Sequence, residues 1–278
     1  MPTLKALNAT FPDSSPHPEI KLSVVVITRN EEHNIVACLE SVAFADEWIV
    51  VDYASSDRTV ELARSKGANV LETRDWPGFG PQKNLGLQQA GGRWVLSLDA
   101  DERVSEELAA EIMAIVKSDE AAVYACPRLT QFCGRWIRHC GWTPDYVNRL
   151  FKRGNARFSD ALVHECLLFE GSPRKLRGQL LHYSYPNPEA FWDKLQRYSI
   201  AWATQQRKIG ARSSISRACF SGLFAFLKSY LLRLGFLDGG MGLAVCWLQA
   251  QAAFGKHFHL HCLQLLAEAQ QKSQGSAR

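Results

Sequence analysis

Close cysteine pairs, runs of Lys and Arg and an apolar stretch near residue 1 are all missing from this sequence. None of the eight cysteines, Cys38, Cys126, Cys133, Cys140, Cys166, Cys219, Cys246 and Cys262, stands in a Cys-x-x-Cys pair. The even spacing of Cys126, Cys133 and Cys140 lacks the close ligand pair of a usual zinc site, so the thiols read as small, reduced core residues. No run of Lys and Arg occurs, and a formal charge of +4 is too mild to argue for nucleic acid as a partner. Residues 1–19 carry four prolines and no apolar core of the kind a signal peptide needs, so residues 1–20 are expected to form a flexible tail. The expected location is then the cytoplasm, peripheral on the inner face of the inner membrane.

An uninterrupted membrane-length apolar run is also lacking. Cys219 to Leu237 is strongly apolar but contains Lys228 and Arg233, and Asp238-Gly239-Gly240 breaks it before a shorter apolar stretch reaches Phe254. A helical hairpin lying on a lipid surface fits this pattern, with Arg207, Lys208, Arg212 and Arg217 near anionic head groups. Packing on the rest of the chain, or dimerisation, is the alternative.

The 278 residues, 46% of them hydrophobic, suffice for one large domain plus an extension. Leu22 to Ile27 is a β-branched run followed by a helical stripe of Ile35, Cys38, Leu39 and Val42. Glu47 to Val51 repeats the strand pattern, and Asp57 caps a helix through Val60, Leu62 and Ala63. Asn69 to Leu71, a helix over Gln82 to Ala90, and Arg93 to Leu98 complete an alternation that implies a mostly parallel sheet flanked by helices. After a helix from Ser105 to Lys117, short strands are expected at Val123 to Pro127, Arg128 to Phe132, Tyr146 to Phe151 and Gln179 to Tyr183. A helix over Pro188 to Ile209 shows Phe191, Leu195, Tyr198 and Trp202 on one face. The α/β domain is therefore expected over 21–210 and a helical, membrane-associating extension over 211–278.

Asp99-Ala100-Asp101 follows the apolar run Trp94 to Leu98 and places two carboxylates at the mouth of a buried strand. Ligands of parallel α/β sheets collect there, and carboxylates suit Mg²⁺ or Mn²⁺, which phosphates also bind. Thr28, Arg29 and Asn30 end the first strand and Asp52 the second, so their loops open on the same edge as Asp99 and Asp101. Gly78-x-Gly80, with Gln82, Lys83 and Asn84, lets backbone approach a ligand closely and adds a cation for phosphate. The loop after the first strand, Thr28 to Glu32, has no glycine, which argues against nucleotidyl transfer.

Together, Val24-Val25-Val26-Ile27-Thr28-Arg29-Asn30-Glu31, Val50-Val51-Asp52, Gly78-Phe79-Gly80-x-Gln82-Lys83-Asn84 and Leu96-Ser97-Leu98-Asp99-Ala100-Asp101-Glu102 resemble the family 2 inverting glycosyltransferases of the GT-A fold. Within them the chain resembles the bacterial lipopolysaccharide core β-1,4-glucosyltransferases. The likeness runs on through Gly134 to His139, Trp142 to Tyr146, Arg149 to Phe151, Val163-His164-Glu165 and Gly235 to Gly239. It implies a UDP-sugar donor held by Thr28, Asn30, Glu31 and Asp52, with Lys83 nearby and Asp99 and Asp101 engaging ribose and metal. It further implies His182 in the metal site and Glu165 as catalytic base, with Asp145 a rival base.

Arg135, Trp136, Arg138, Trp142 and Arg149 fall in the acceptor half, where aromatic faces suit sugar rings and guanidinium forks suit phosphates. The implied partners are a nucleotide sugar, a lipopolysaccharide inner-core heptose and a membrane surface, with a homo-oligomer left open. Polyprenyl phosphate or another glycolipid is the alternative acceptor, and a silent nucleotide-binding scaffold the alternative function. One departure stands out: Tyr53-Ala54-Ser55-Ser56-Asp57 occupies the place of the family's Ser-Gly-Ser-x-Asp, so Tyr53 and Ala54 stand where the family has a small residue and a glycine.

Overall fold

The computed structural model describes residues 20–120, 122–160 and 165–275. The expected N-terminal tail lies outside them, as do Val163 and His164. Two compact units are present, one built from residues 20–128 and Asp145–His182, the other from Leu129–Pro144 and residues 183–275. The second unit therefore takes in the chain from Tyr183 onward as well as Leu129–Pro144, whereas the extension expected from sequence starts at residue 211. The long helix after Asn187 packs on the C-terminal helix, and that contact assigns it to the second unit.

The first unit opens with β1 (Leu22–Thr28), α1 (Ile35–Glu40), β2 (Glu47–Tyr53), α2 (Thr59–Ser65), β3 (Asn69–Thr73), α3 (Phe79–Gln89) and β4 (Trp94–Asp99). It continues through β5 (Glu102–Val104), α4 (Glu106–Ser118) and β6 (Val123–Phe132), the last running on into the second unit. One ten-residue strand replaces the two short strands expected over 123–132. Helix α3 starts at Phe79, ahead of the expected Gln82, after a Gly78 whose φ of 113° suits glycine.

Strands β1 to β4 are all parallel, in the order β3-β2-β1-β4, and the sheet continues antiparallel through β8 (Asp145–Lys152). Because β1 is central and covered on both faces, every one of its residues is buried, and its sequence reads as a continuous apolar run. Alternation divides the core. Val24, Val26, Val50, Leu96 and Leu98 face α1 and α4 residues such as Ile35, Leu39, Leu108 and Ile112. Val25, Ile27, Val51 and Val95 instead meet Leu87 of α3, Ala90 just after that helix and the aromatic Phe158. Each such side chain, fully removed from water, contributes roughly 1.5–3 kcal/mol.

The sheet order after β8 is β6-β12-β5, where β12 (Leu180–Tyr185) pairs antiparallel with β5. A separate hairpin of β9 (Ala156–Phe158) and β10 (Leu167–Phe169) carries the segment that includes Glu165.

In the second unit, β7 (Arg135–Ile137) folds back on the end of β6, and α5 (Pro188–Lys208) and α6 (Ile215–Leu227) both pack on α7 (Gly239–Gly275). A π-helical turn over Lys228–Leu232 prolongs α6, and a 3-10 turn over Gly235–Asp238 leads into α7. The expected helical hairpin is thus formed by α6 and α7. Its core joins Phe132, Ile137, Cys140 and Phe191 to Val245 and Cys246.

Candidate active site

Strand register brings the expected residues to one edge. Thr28 stands opposite Asp52 in the β1–β2 pair, and Ile27 opposite Asp99 in the β1–β4 pair, so three strand tips end within a residue of each other. Polar bonds lace the loops beyond them. Asn30 N–H donates to Ser55 Oγ at 2.8 Å, Ser56 N–H to Asn30 Oδ1 at 2.8 Å, and Glu31 N–H to Thr59 Oγ1 at 2.8 Å. Asp52, buried, accepts from Ser55 N–H at 2.9 Å and Ser55 Oγ at 2.5 Å. Thr28 Oγ1 is buried and makes no hydrogen bond to the described residues. Its orphaned hydroxyl fits a site built for a polar ligand.

The departure at Tyr53-Ala54 has a structural outcome. Ala54 keeps the left-handed conformation that the family's glycine would serve, with φ 45°. Tyr53 lies 5.0 Å from the Trp76 ring, and the Arg29 guanidinium lies 4.6 Å over the Tyr53 ring. Trp76 in turn meets Phe79 edge-on at 4.9 Å. This aromatic shelf is not legible in the sequence because Trp76 and Phe79 fall in a Gly/Pro-rich stretch without periodicity, Trp76 before α3 and Phe79 at its first residue.

Seven ionised side chains form an alternating row. Lys83 Nζ lies 2.9 Å from Glu165 Oε1 and 3.0 Å from Asp99 Oδ1; Arg149 Nη2 lies 2.5 Å from Asp99 Oδ2 and 2.6 Å from Glu102 Oε1. Arg128 continues the row, 3.4 Å from Glu102 and 2.6 Å from Asp145. Desolvation by itself would raise the Asp99 carboxyl, but the charges of Arg149 and Lys83 outweigh it and hold the group well below the ordinary carboxylate range. Desolvation would likewise lower Arg149, yet Asp99 and Glu102 push it above the ordinary guanidinium value.

One expectation changes here. Asp99 carries one cation on each oxygen, Lys83 on Oδ1 and Arg149 on Oδ2. Arg149, expected to face an acceptor, is instead a buried bridge between Asp99 and Glu102. Glu102 was missed, although a charged residue opening a three-residue strand directly after Asp101 was the available signal.

Asp101 and His182 make a second pair, Oδ2 to Nε2 3.2 Å, set on the β4–β5 link and on β12 where it pairs with β5. A carboxylate oxygen beside an imidazole nitrogen fits a divalent cation. No group of three or more His, Cys, Asp or Glu side chains placed to hold a metal occurs among the described residues. Glu31 looks onto this pair: desolvation raises its carboxyl, the charges of Asp101, Asp57 and Asp99 add to the rise, and the hydrogen bond from Asn34 opposes it.

Glu165 and Asp145 are each paired with a cation, but they differ in setting. Glu165 is linked through Lys83 to Asp99, and its Oε2 has no partner among the described residues. Asp145 is tied twice to Arg128 and its side chain is 42% exposed. Helix α3 braces the Glu165 segment: Asn84 exchanges two hydrogen bonds with the Phe158 backbone, and a Cβ on Gly80 would stand 1.8 Å from the Ser159 carbonyl oxygen. Arg135, Trp136, Arg138 and Trp142 belong to the second unit. There Trp136 packs edge-on against Tyr183 at 5.2 Å and Trp142 lies 5.6 Å from Tyr185.

Carboxylates gathered at the tips of parallel strands, backed by a mixed half-sheet, fit the class of α/β transferases that handle nucleotide sugars. Residues 23–169 match the family model described as glycosyl transferase family 2, and the chain belongs to that family. It is 30% identical over 261 residues to the lipopolysaccharide core biosynthesis glycosyltransferase LpsC of Rhizobium meliloti, covering 86% of this chain and 94% of the relative. An uncharacterized glycosyltransferase of Rickettsia prowazekii is 30% identical across 89% of both chains. Among solved structures, TarS 1–349 of Staphylococcus aureus superposes with a TM-score of 0.42 at 19% identity, covering 84% of this chain and 81% of that one.

Proposed function

We propose that this family 2 enzyme is an inverting transferase that moves a sugar, glucose from UDP-glucose, onto an inner-core heptose of lipopolysaccharide. The observation that carries the reading is the Asp101–His182 pair, 3.2 Å apart and adjoining the edge where Thr28, Asp52 and Asp99 end. The likeness to LpsC supports the acceptor class.

Thr28, Asn30, Glu31 and Asp52 are assigned to the uridine, with Asp99 at the ribose and Lys83 near the phosphates. Asp101 and His182 would hold Mn²⁺ or Mg²⁺, and the imidazole favours Mn²⁺. When bound, such a cation neutralises negative charge that grows on the departing diphosphate.

Glu165 serves as base, with Asp145 as the rival. Glu165 Oε2, without a partner among the described residues, takes the proton of the acceptor hydroxyl as that oxygen bonds to the anomeric carbon, while the bond to the diphosphate oxygen breaks on the opposite face. Attack from that side inverts the centre. Lys83 orients Glu165 through Oε1, so the carboxylate does not rotate away from the incoming hydroxyl.

The α6–α7 hairpin is assigned to the membrane surface. Residues Ile215–Leu232 form a helix of mean hydropathy 1.2 that is only 17% buried. Phe220, Leu223, Phe224, Leu227, Leu231 and Leu232 are exposed along it. Exposed Arg217 and Lys228 interrupt the stretch, which suits an interfacial position on the cytoplasmic face better than a span.

The decisive assay incubates the purified full chain with UDP-glucose, truncated lipopolysaccharide and Mn²⁺ or Mg²⁺, and follows product by mass. Transfer is expected in the wild type and lost in both Asp101→Asn and Glu165→Gln. Undiminished transfer by both variants would overturn these roles.

A further inference from the structure

A second carboxylate-oriented histidine lies outside the row of charges, within the helical unit. His139 Nδ1 is 2.9 Å from Asp238 Oδ1, and the same carboxylate accepts His139 N–H at 2.8 Å and Arg138 N–H at 3.4 Å. The Asp238 side chain is 8% exposed and that of His139 31%. One buried acid therefore sets the ring plane and also pins the backbone that launches Arg138. The other ring nitrogen, Nε2, makes no hydrogen bond among the described residues, and the ring is open enough to meet a ligand.

The surroundings are cationic. Arg138 and Arg233 are exposed and neither guanidinium forms an ion pair among the described residues. Arg233 belongs to the same corner: its carbonyl accepts Cys140 N–H at 3.1 Å, and its Cγ lies 3.4 Å from where a Gly141 Cβ would stand. Asp238 already serves four groups of this loop, the Cys140 thiol at 3.7 Å included. An imidazole fixed by Asp238, on a corner that also carries Arg138 and Arg233, suits the oxygens of a doubly charged phosphate.

We propose that His139, held by Asp238, is a binding residue for a phosphate monoester carried by the acceptor glycan. The assignment of that phosphate to an acceptor rests on the function proposed above; the phosphate site itself does not. In the complex both ring nitrogens donate, Nδ1–H to Asp238 and Nε2–H to a phosphate oxygen, and Arg138 and Arg233 supply further donors.

The test uses the full chain labelled with ¹⁵N-histidine and long-range ¹H–¹⁵N spectra of the imidazoles, with mannose 6-phosphate as probe. A saturable shift of the His139 Nε2 signal is expected with mannose 6-phosphate and not with mannose. His139→Asn keeps a donor for Asp238 but has no Nε2, and should weaken mannose 6-phosphate binding by about tenfold or more. Equal affinity in His139→Asn, or no Nε2 shift in the wild type, would overturn the proposal. A shift produced only by phosphatidylglycerol vesicles, and not by the sugar phosphate, would overturn it in favour of a lipid head group. If the sugar phosphate binds as expected while lipopolysaccharide receives no sugar, the phosphate site stands and the acceptor reading fails.

Discussion

Replacing Arg149 by methionine tests the row of charges most directly. Its side chain is 6% exposed and its Nη2 touches Asp99 at 2.5 Å and the fully buried Glu102 at 2.6 Å. At an effective dielectric of about 20, one unit-charge contact at this separation is worth roughly 6 kcal/mol before desolvation. Methionine returns the cost of burying the guanidinium but strands Glu102, whose remaining cation, Arg128, is 3.4 Å away. Removing one partner of such a buried pair costs about 3–5 kcal/mol. With a urea slope of about 2–3 kcal/mol per molar, the unfolding midpoint of the α/β unit should fall by about 1–2 M.

The companion variant distinguishes a stranded charge from lost packing. Arg149→Met with Glu102→Met should recover most of the loss, because two apolar side chains of similar length need no counter-ion. A single-variant loss below about 1 kcal/mol, or strictly additive losses in the double variant, would refute the description of this row as a coupled buried network. The pH dependence runs the same way. The folded-state pKa of Asp99 is depressed, so its stabilisation is complete above the ordinary carboxylate pKa of about 3.9 and is lost as pH falls below that value toward the depressed one. In Arg149→Met this acid-side loss of stability should shrink.

Ala54→Gly should raise stability by about 0.5–1 kcal/mol in thermal or urea unfolding, since the gain from relieving an alanine at φ 45° exceeds the added chain entropy. Gly80→Ala should displace the Ser159 to Glu165 segment and lower kcat, because the new methyl group meets a backbone carbonyl at 1.8 Å; a crystal structure or a kinetic assay without change would refute that brace. UDP with Mn²⁺ should raise the melting temperature, by an amount equivalent to about 2.7 kcal/mol at a hundredfold excess over Kd, and His182→Ala should abolish the Mn²⁺-dependent part. Phe220→Ser with Phe224→Ser should reduce co-sedimentation with anionic vesicles more than tenfold, as each apolar side chain buried in lipid contributes about 1.5–3 kcal/mol.

Much of the catalytic unit was legible in the linear chain because its signals are local. Apolar runs that end in Asp52 and Asp99 specify buried parallel strands, and parallel register then forces their tips, with Thr28, onto one edge. What became of the carboxylates there was not local. Nothing in the Asp99 motif announces its partners: Lys83 and Arg149 come from α3 and β8 and meet its two oxygens. Arg149 looks like a surface cation among other arginines until strand pairing buries it beside Glu102. The His139–Asp238 pair joins residues ninety-nine positions apart, a separation no spacing rule reads. Periodicity and turn residues by themselves determined which segments become strands and helices and where the strands stop. Only the tertiary structure decided which charges meet, because a buried carboxylate takes whichever cation the packing delivers, and that choice depends on contacts far apart in sequence.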